Sequence, residues 1–241
     1  MKQVFRIVSF NIQHGAWTAL DWNRLVLPIK EVNADIVGMQ EVDMFTSRTN
    51  CADSVTGIQK ALGWDEGRFV RSMPYDGGEY GNALFARESF VCFEALLLPN
   101  ADGQEPRSCG HAVLDFENGR RLHFLNTHLA FESAESRQPQ FEVLRGILES
   151  IPQEEPYVLT GDFNTERAEA FLPLLNERSA LANHLGVDGK VNVPHYKTFP
   201  ETGHAIDNIV YDSKNLSLRA SGMLEGQFSD HNLLWAEFSL K

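Results

Sequence analysis

Short apolar segments, most rich in β-branched or aromatic residues and bounded by Gly, Pro, Asn or Asp, recur along the whole chain, and this constrains the fold more than any other feature. They run Val4–Ile12, Asp35–Val42, Arg68–Met73, Ala83–Arg87, Val91–Leu98, Ala112–Phe116, Arg121–His128, Tyr157–Gly161, Ala205–Tyr211, Leu216–Met223 and Leu233–Phe238. Each reads as a strand. Helical spacing is scarcer. It covers Leu20–Val32, where Pro28 predicts a kink, the short Val55–Leu62, and Glu132–Ile151, whose Phe141, Leu144, Ile147 and Leu148 form one apolar stripe. Thr165 reads as the N-cap of one more helix carrying Ala168, Phe171, Leu172 and Leu175. Many strands with few one-sided helices predict an α/β (α+β) architecture of two sheets packed face to face, with helices on the outer faces. Asn118-Gly119 predicts a hairpin with positive φ at both positions. The loop-like stretches Tyr75–Gly81 and Gly186–Pro200 are too short to separate domains, so residues 1–241 read as one.

With 43% apolar residues over 241 positions, the chain can bury a sizeable core. Its formal charge of −12 argues against gripping duplex DNA by general phosphate neutralisation. That charge leaves open a local site where carboxylates hold a divalent cation. No run has transmembrane length or a secretory pattern. Three cysteines (Cys51, Cys92, Cys109), without a CxxC pair, give neither a disulfide framework nor a thiolate zinc site. The expectation is a monomeric cytoplasmic protein that does not insert into a membrane.

Polar residues collect at the strand ends: Ser9-Phe10-Asn11, Gln40-Glu41-Val42-Asp43, Asn126-Thr127-His128, Gly161-Asp162-Phe163-Asn164, Ile206-Asp207-Asn208 and Ser229-Asp230-His231. Strand ends are rigid platforms facing a shared cleft. Carboxylates, carboxamides and imidazoles are the set needed for metal-assisted attack of water on phosphorus, and oxygen ligands suit Mg²⁺ or Mn²⁺.

SFN, QEVD, NTHL, GDFN, IDN and SDH, in this order and with these gaps, resemble the endonuclease/exonuclease/phosphatase superfamily of DNase I-like fold, from Ser9 to His231. The resemblance implies a four-layer α-β-β-α sandwich and divalent-metal-dependent hydrolysis of a phosphate ester. By position it places Asn11, Glu41 and Asp230 on the metal side, and Asp162 and Asn164 at the attacking water. It makes Asp207 and His231 an Asp–His pair and His128 a phosphate contact. Gly81-Asn82-Ala83 and Arg137-x-x-Gln140 resemble recurring segments of bacterial members, with Asn82 a candidate substrate contact.

Taken singly, each residue has a plainer use. Asn11 could cap a turn, Asp162 and Asn164 could form an Asx turn, His128 could be a core histidine, and Asp230-His231 could be solvated. The joint pattern favours chemistry. Arg48 is either solvated or a bidentate phosphate contact, and Tyr80 either a buried ring or a cleft contact. His14 and His204 lie near the motifs in sequence, and the other histidines (His111, His123, His184, His195) read as surface or core. The reading is a phosphodiesterase or phosphomonoesterase using Mg²⁺ or Mn²⁺, with a small or lipid-like substrate favoured over nucleic acid. The rivals are a nuclease of the same family, a binding module that keeps the fold without catalysis, and a zinc hydrolase, which would want richer histidine ligation.

Overall fold

Along the first strand, β1 (Val4–Asn11), Phe5 and Ile7 belong to one cluster of buried side chains and Val8 and Phe10 to another. A strand buried on both faces needs cover on both. The protein, described here by a computed structural model for residues 1–183 and 196–241, supplies that cover with four layers. One six-stranded mixed sheet contains β11 (Leu216–Leu224), β12 (Leu233–Leu240), β1, β2 (Ile36–Met44), β4 (Gly78–Ala86) and β3 (Glu66–Tyr75), in that spatial order. The second contains β5 (Cys92–Leu97), β6 (Ser108–Asp115), β7 (Arg121–His128), β8 (Tyr157–Asp162), β10 (Asp207–Asp212) and β9 (Ser179–Leu181). The β1–β2 and β7–β8 pairs are parallel. Helices α1 (Trp22–Leu25), α2 (Leu27–Glu31) and α3 (Ser54–Leu62) cover the outer face of the first sheet, burying Leu25, Ile29 and Ile58 against Val8, Val37 and Phe85. On the second sheet, α4 (Ala134–Ser150) lays Phe141, Leu144 and Leu148 over Leu125, Leu159 and Val210. Ser133 caps α4, accepting from Ser136 N at 3.2 Å.

Local chemistry departs from the sequence expectations in four places. Pro28 does not kink one helix; it opens α2, separate from the Asp21-capped α1, because a proline lacks the N–H that a helix interior requires. Tyr75–Gly81 is not a loop: it ends β3, turns at Asp76-Gly77 and begins β4. Asp76 (φ 45°) and Gly77 (φ 81°) take the paired left-handed conformations expected for Asn118-Gly119. At the β6–β7 turn only Gly119 is left-handed, following a turn closed by Gly119 N on Phe116 O. Thr165 begins no α-helix; only a 3₁₀ turn, Ala168–Phe171, forms there. Strand β9 carried too little apolar pattern to be recognised. His184, His195 and most of the Gly186–Pro200 stretch lie outside the described residues.

The inner faces of the sandwich change character along the strands. Ile7, Ile36, Phe124 and Val158 give way two residues on to Ser9, Gly38, Asn126 and Thr160, and two further on to Asn11, Gln40, His128 and Asp162. Midway, Asn126 ties the sheets together. Its amide donates to Met39 O (2.8 Å) and Ala83 O (3.2 Å), and its carbonyl accepts from Gln40 Nε2 (2.6 Å) and Thr160 Oγ1 (2.9 Å). Gly38 makes room for this bridge, since a Cβ there would lie 2.2 Å from Thr160 Oγ1. Beyond it, the polar ends of both sheets open into a cleft.

Two properties away from the cleft are measurable. Cys51 and Cys92 are exposed and Cys109 is buried, all as free thiols, and burial pushes the Cys109 thiol up to about 12. Thiol titration of the native protein is expected to find two fast groups, and a third on denaturation. On the outer face of the second sheet, His111 Nε2 lies 2.9 Å from His123 Nδ1, which in turn pairs with Glu155 at 2.6 Å. Burial, with the neighbouring His123 adding to it, pulls His111 down to about 4 from 6.5. The unfolded chain therefore binds the proton first as pH falls. Stability from this group is complete above about 6.5 and is lost towards 4. Urea midpoints between pH 7 and 4 should fall less steeply in His111→Gln than in the wild type.

Candidate active site

Strict alternation would turn Glu41 away from the cleft, because its neighbour Gln40 points inward. A register shift in the β2–β4 pairing between Met39 and Val42, with Glu41 in the left-handed region (φ 57°), re-aims it. Its Oε1 accepts from Asn11 Nδ2 at 2.9 Å. The same amide donates to Asp162 Oδ2 at 3.1 Å, so one carboxamide joins carboxylates from opposite sheets. Asp162 ends β8, and its Oδ1 accepts from Asn164 N (3.0 Å), with Asn164 left-handed at φ 49°. This is the Asx turn that counted as the plainer reading, yet it leaves Asp162 facing the cleft. Asn164 Nδ2 is fixed on Leu129 O (2.9 Å), which leaves its Oδ1 to the cleft.

On the far bank, Asp207 opens β10 directly across from Asp162 in the antiparallel register. Its Oδ2 lies 2.8 Å from His231 Nδ1, and His231 Nε2 lies 3.7 Å from Asp162 Oδ2. Burial disfavours charge on His231, but Asp207's charge and hydrogen bond outweigh it and push the imidazole up to about 10. It is an imidazolium at neutral pH. Burial, reinforced by Asp207, raises the Asp162 carboxyl, and burial likewise raises Glu41. His128 Nε2 lies 3.5 Å from Asp162 Oδ2; burial and the charges of Arg107 and His231 hold it well below the usual histidine range, so it is neutral.

The cleft above these residues has a volume of about 360 Å³. Glu41, His128, Asp162, Asn164, Asp230 and His231 line it, as do Arg48 and Tyr80. Arg48 is not free: Asp43 holds it bidentately through Nε (2.6 Å) and Nη2 (2.7 Å), and it stacks 4.4 Å from the Tyr75 ring. Asn82 departs from the expectation. It does not line the cleft, and its amide donates across the sandwich to Ser108 O (3.1 Å) and Oγ (3.3 Å). Arg137 and Gln140 are scaffold too, bonding Ala130 and Pro99. Neither His14 nor His204 lines the cleft; His204 pairs with Glu166 at 3.2 Å. Tyr75, Ile206, Arg107, Glu105, Met73, Phe131 and Phe199 complete the lining; the last five went unrecognised in sequence, because none sits in a motif.

The donors fit a hard divalent cation. Glu41 and Asp162 share the Asn11 amide, Asp230 adds its charge, and all offer oxygen. Asp162, Asp207 and His231 also bring ligand atoms within 4.8 Å of one another. There His231 is paired with Asp207 and protonated, a poor ligand, so the Glu41 side is the better seat.

The model of the Endonuclease/Exonuclease/phosphatase family matches residues 8–231. The chain belongs to this family. Its members are phosphoesterases or nucleases and use divalent metals. Uncharacterized protein YbhP of Escherichia coli (strain K12) is 27% identical over 183 residues, 70% of each chain. Among solved structures, the human Nocturnin catalytic domain with bound sulfate superposes with a TM-score of 0.78 at 24% identity, covering 99% of this chain and 94% of that one. An endonuclease/exonuclease/phosphatase of Bacteroides vulgatus gives 0.77 at 23% identity over 99% of both chains. The mannosyl-6-phosphatase Bt3783 of Bacteroides thetaiotaomicron gives 0.69 at 14%, covering 98% and 99%. At these identities the likeness shows the shared α+β sandwich of DNase I-like type. No helix among the described residues is long and apolar enough to cross a membrane.

Proposed function

We propose that this family member, acting as one catalytic domain, is a divalent-metal-dependent phosphoesterase whose substrate is a small or lipid-like phosphoester in preference to duplex DNA. The observation that carries the reading is the Asn11 amide joined to both Glu41 and Asp162, facing the Asp207–His231 pair across one cleft. Glu41, with Asn11 and Asp230, would hold Mg²⁺ or Mn²⁺. When bound, the cation supplies charge stabilisation to a phosphoryl oxygen, an effect of several kcal/mol.

The protein's own groups do the rest. Asp162, whose raised carboxyl suits it to accept a proton, takes one from the attacking water, and Asn164 Oδ1 orients that water. The new P–O bond forms in line as the bond to the leaving oxygen breaks. His231, held by Asp207 with Nε2 towards Asp162, donates to a phosphoryl oxygen as charge builds on it. Neutral His128 serves the opposite side. The net charge of −12 disfavours a duplex partner.

The test is a panel with Mg²⁺ and Mn²⁺: p-nitrophenyl phosphate, bis(p-nitrophenyl) phosphate, sphingomyelin, abasic DNA and single-stranded DNA. Turnover of the small or lipid esters at higher kcat/KM than the DNAs is expected. Preference for either DNA would favour a nuclease, and no turnover with cation binding retained would favour a binding module.

A further inference from the structure

Among the described cations lining the cleft, Arg107 is the one whose buried guanidinium nitrogens are left without hydrogen bonds. Arg48 is clamped by Asp43 through two hydrogen bonds, and His231 is held by Asp207. Arg107, just ahead of β6, is 3% exposed, and neither its Nε nor its Nη1 finds a hydrogen-bond acceptor. Glu105 Oε1 pairs with Nη1 at 2.9 Å without a hydrogen bond between them, and Tyr80 is a neighbour of the same guanidinium. The Phe131 ring lies 5.8 Å from the guanidinium carbon. A buried, underpaired guanidinium is costly in a native fold unless an anion completes it. The charge of Arg107 acts on His128, Tyr80 and Glu41, in the cleft that His231 also lines.

We infer that Arg107 is a substrate-binding residue that takes a third phosphoryl oxygen and makes the cleft selective for phosphomonoesters over phosphodiesters. The inference rests on the phosphoesterase reading above. A phosphomonoester dianion offers three non-bridging oxygens: one for the Glu41 side, one for His231 and one for Arg107. A diester offers two and a single charge. Its second ester oxygen would face the guanidinium, which accepts no proton and gains little from a weak ester acceptor. A site built to bond an oxygen rejects the analogue lacking it strongly, because the buried donor is then left unpaired.

Three measurements on the magnesium-loaded protein test this. The wild type should favour p-nitrophenyl phosphate over bis(p-nitrophenyl) phosphate by about 10²-fold in kcat/KM. Inorganic phosphate should bind in calorimetric titration without turnover, and dimethyl phosphate should not compete. Arg107→Lys keeps the charge but loses the planar fork. It should lower kcat/KM about 10²-fold on the monoester and under about threefold on the diester, and weaken phosphate binding at least about tenfold. A wild-type preference for the diester, or equal losses on both esters in Arg107→Lys, overturns the inference while leaving the phosphoesterase reading intact. Should Arg107→Lys fail to fold, the wild-type ratio and the dimethyl phosphate competition decide alone. If no ester is hydrolysed the broader reading falls, and phosphate titration still reports whether Arg107 binds an anion.

Discussion

His231→Ala is expected to lower kcat by about 10²–10³, the usual worth of one preorganised donor to a phosphoryl or oxyanion centre, while leaving the fold and cation affinity nearly unchanged. The imidazole is buried, carries its proton at neutral pH and is fixed from one side by Asp207 at 2.8 Å and from another by the Phe199 ring at 4.8 Å. Asp207→Asn should cost less, since it removes the charge that keeps the imidazole protonated but not the imidazole itself. The double variant should then be little worse than His231→Ala, because both changes act through one group. Steady-state kinetics on the three variants would settle the point. Near wild-type kcat in His231→Ala, or single effects that simply multiply, would make the pair structural and Asp230-His231 a turn.

Removal of divalent cation should abolish turnover altogether, and Mg²⁺ or Mn²⁺ should restore it, because Glu41 and Asp230 are hard oxygen donors. Binding to the native state should also raise Tm with cation concentration by mass action, which gives a readout independent of substrate. Glu41→Gln should shift the half-maximal cation concentration upward in both assays. The same substitution removes a buried carboxylate whose charge burial disfavours, so apo stability should hold or rise while the cation-induced gain shrinks. Full activity after dialysis against excess EDTA would contradict the whole arrangement of charge in the cleft.

Much of this architecture could be read from the chain because burial on two faces leaves a plain signature. Ile7, Ser9 and Asn11 are alternate residues of one strand, as are Val158, Thr160 and Asp162, and each run passes from apolar to polar towards the same end. A sandwich with its site at one end requires that gradient, so the strands and most cleft residues were visible together. Glu41 was found by motif, but its orientation was not foreseeable, since it depends on a left-handed residue at a register shift. Asn82 misled for the opposite reason: its segment resembles a recurring one, yet its amide is used to tie β4 to β6. Arg107 gave no warning. A lone arginine after a proline looks solvated until the fold sets Phe131 against it. Thr165 shows the limit of capping signals, for apolar residues at helical spacing there formed only a 3₁₀ turn.

The Asn11 amide has a consequence for how the protein can change. It holds Glu41 in its own sheet at 2.9 Å and reaches Asp162 on β8 in the other at 3.1 Å. Chemistry at the cleft therefore gauges the gap between the two sheets, and the Asn126 bridge sets that gap from below. An interior substitution that wedges the sandwich apart by an ångström can leave every strand paired and still separate the two halves of the reaction centre. Loop residues on the cleft walls are released from this restraint. New specificities can accumulate there, whereas repacking between the sheets is filtered by turnover long before it is filtered by folding.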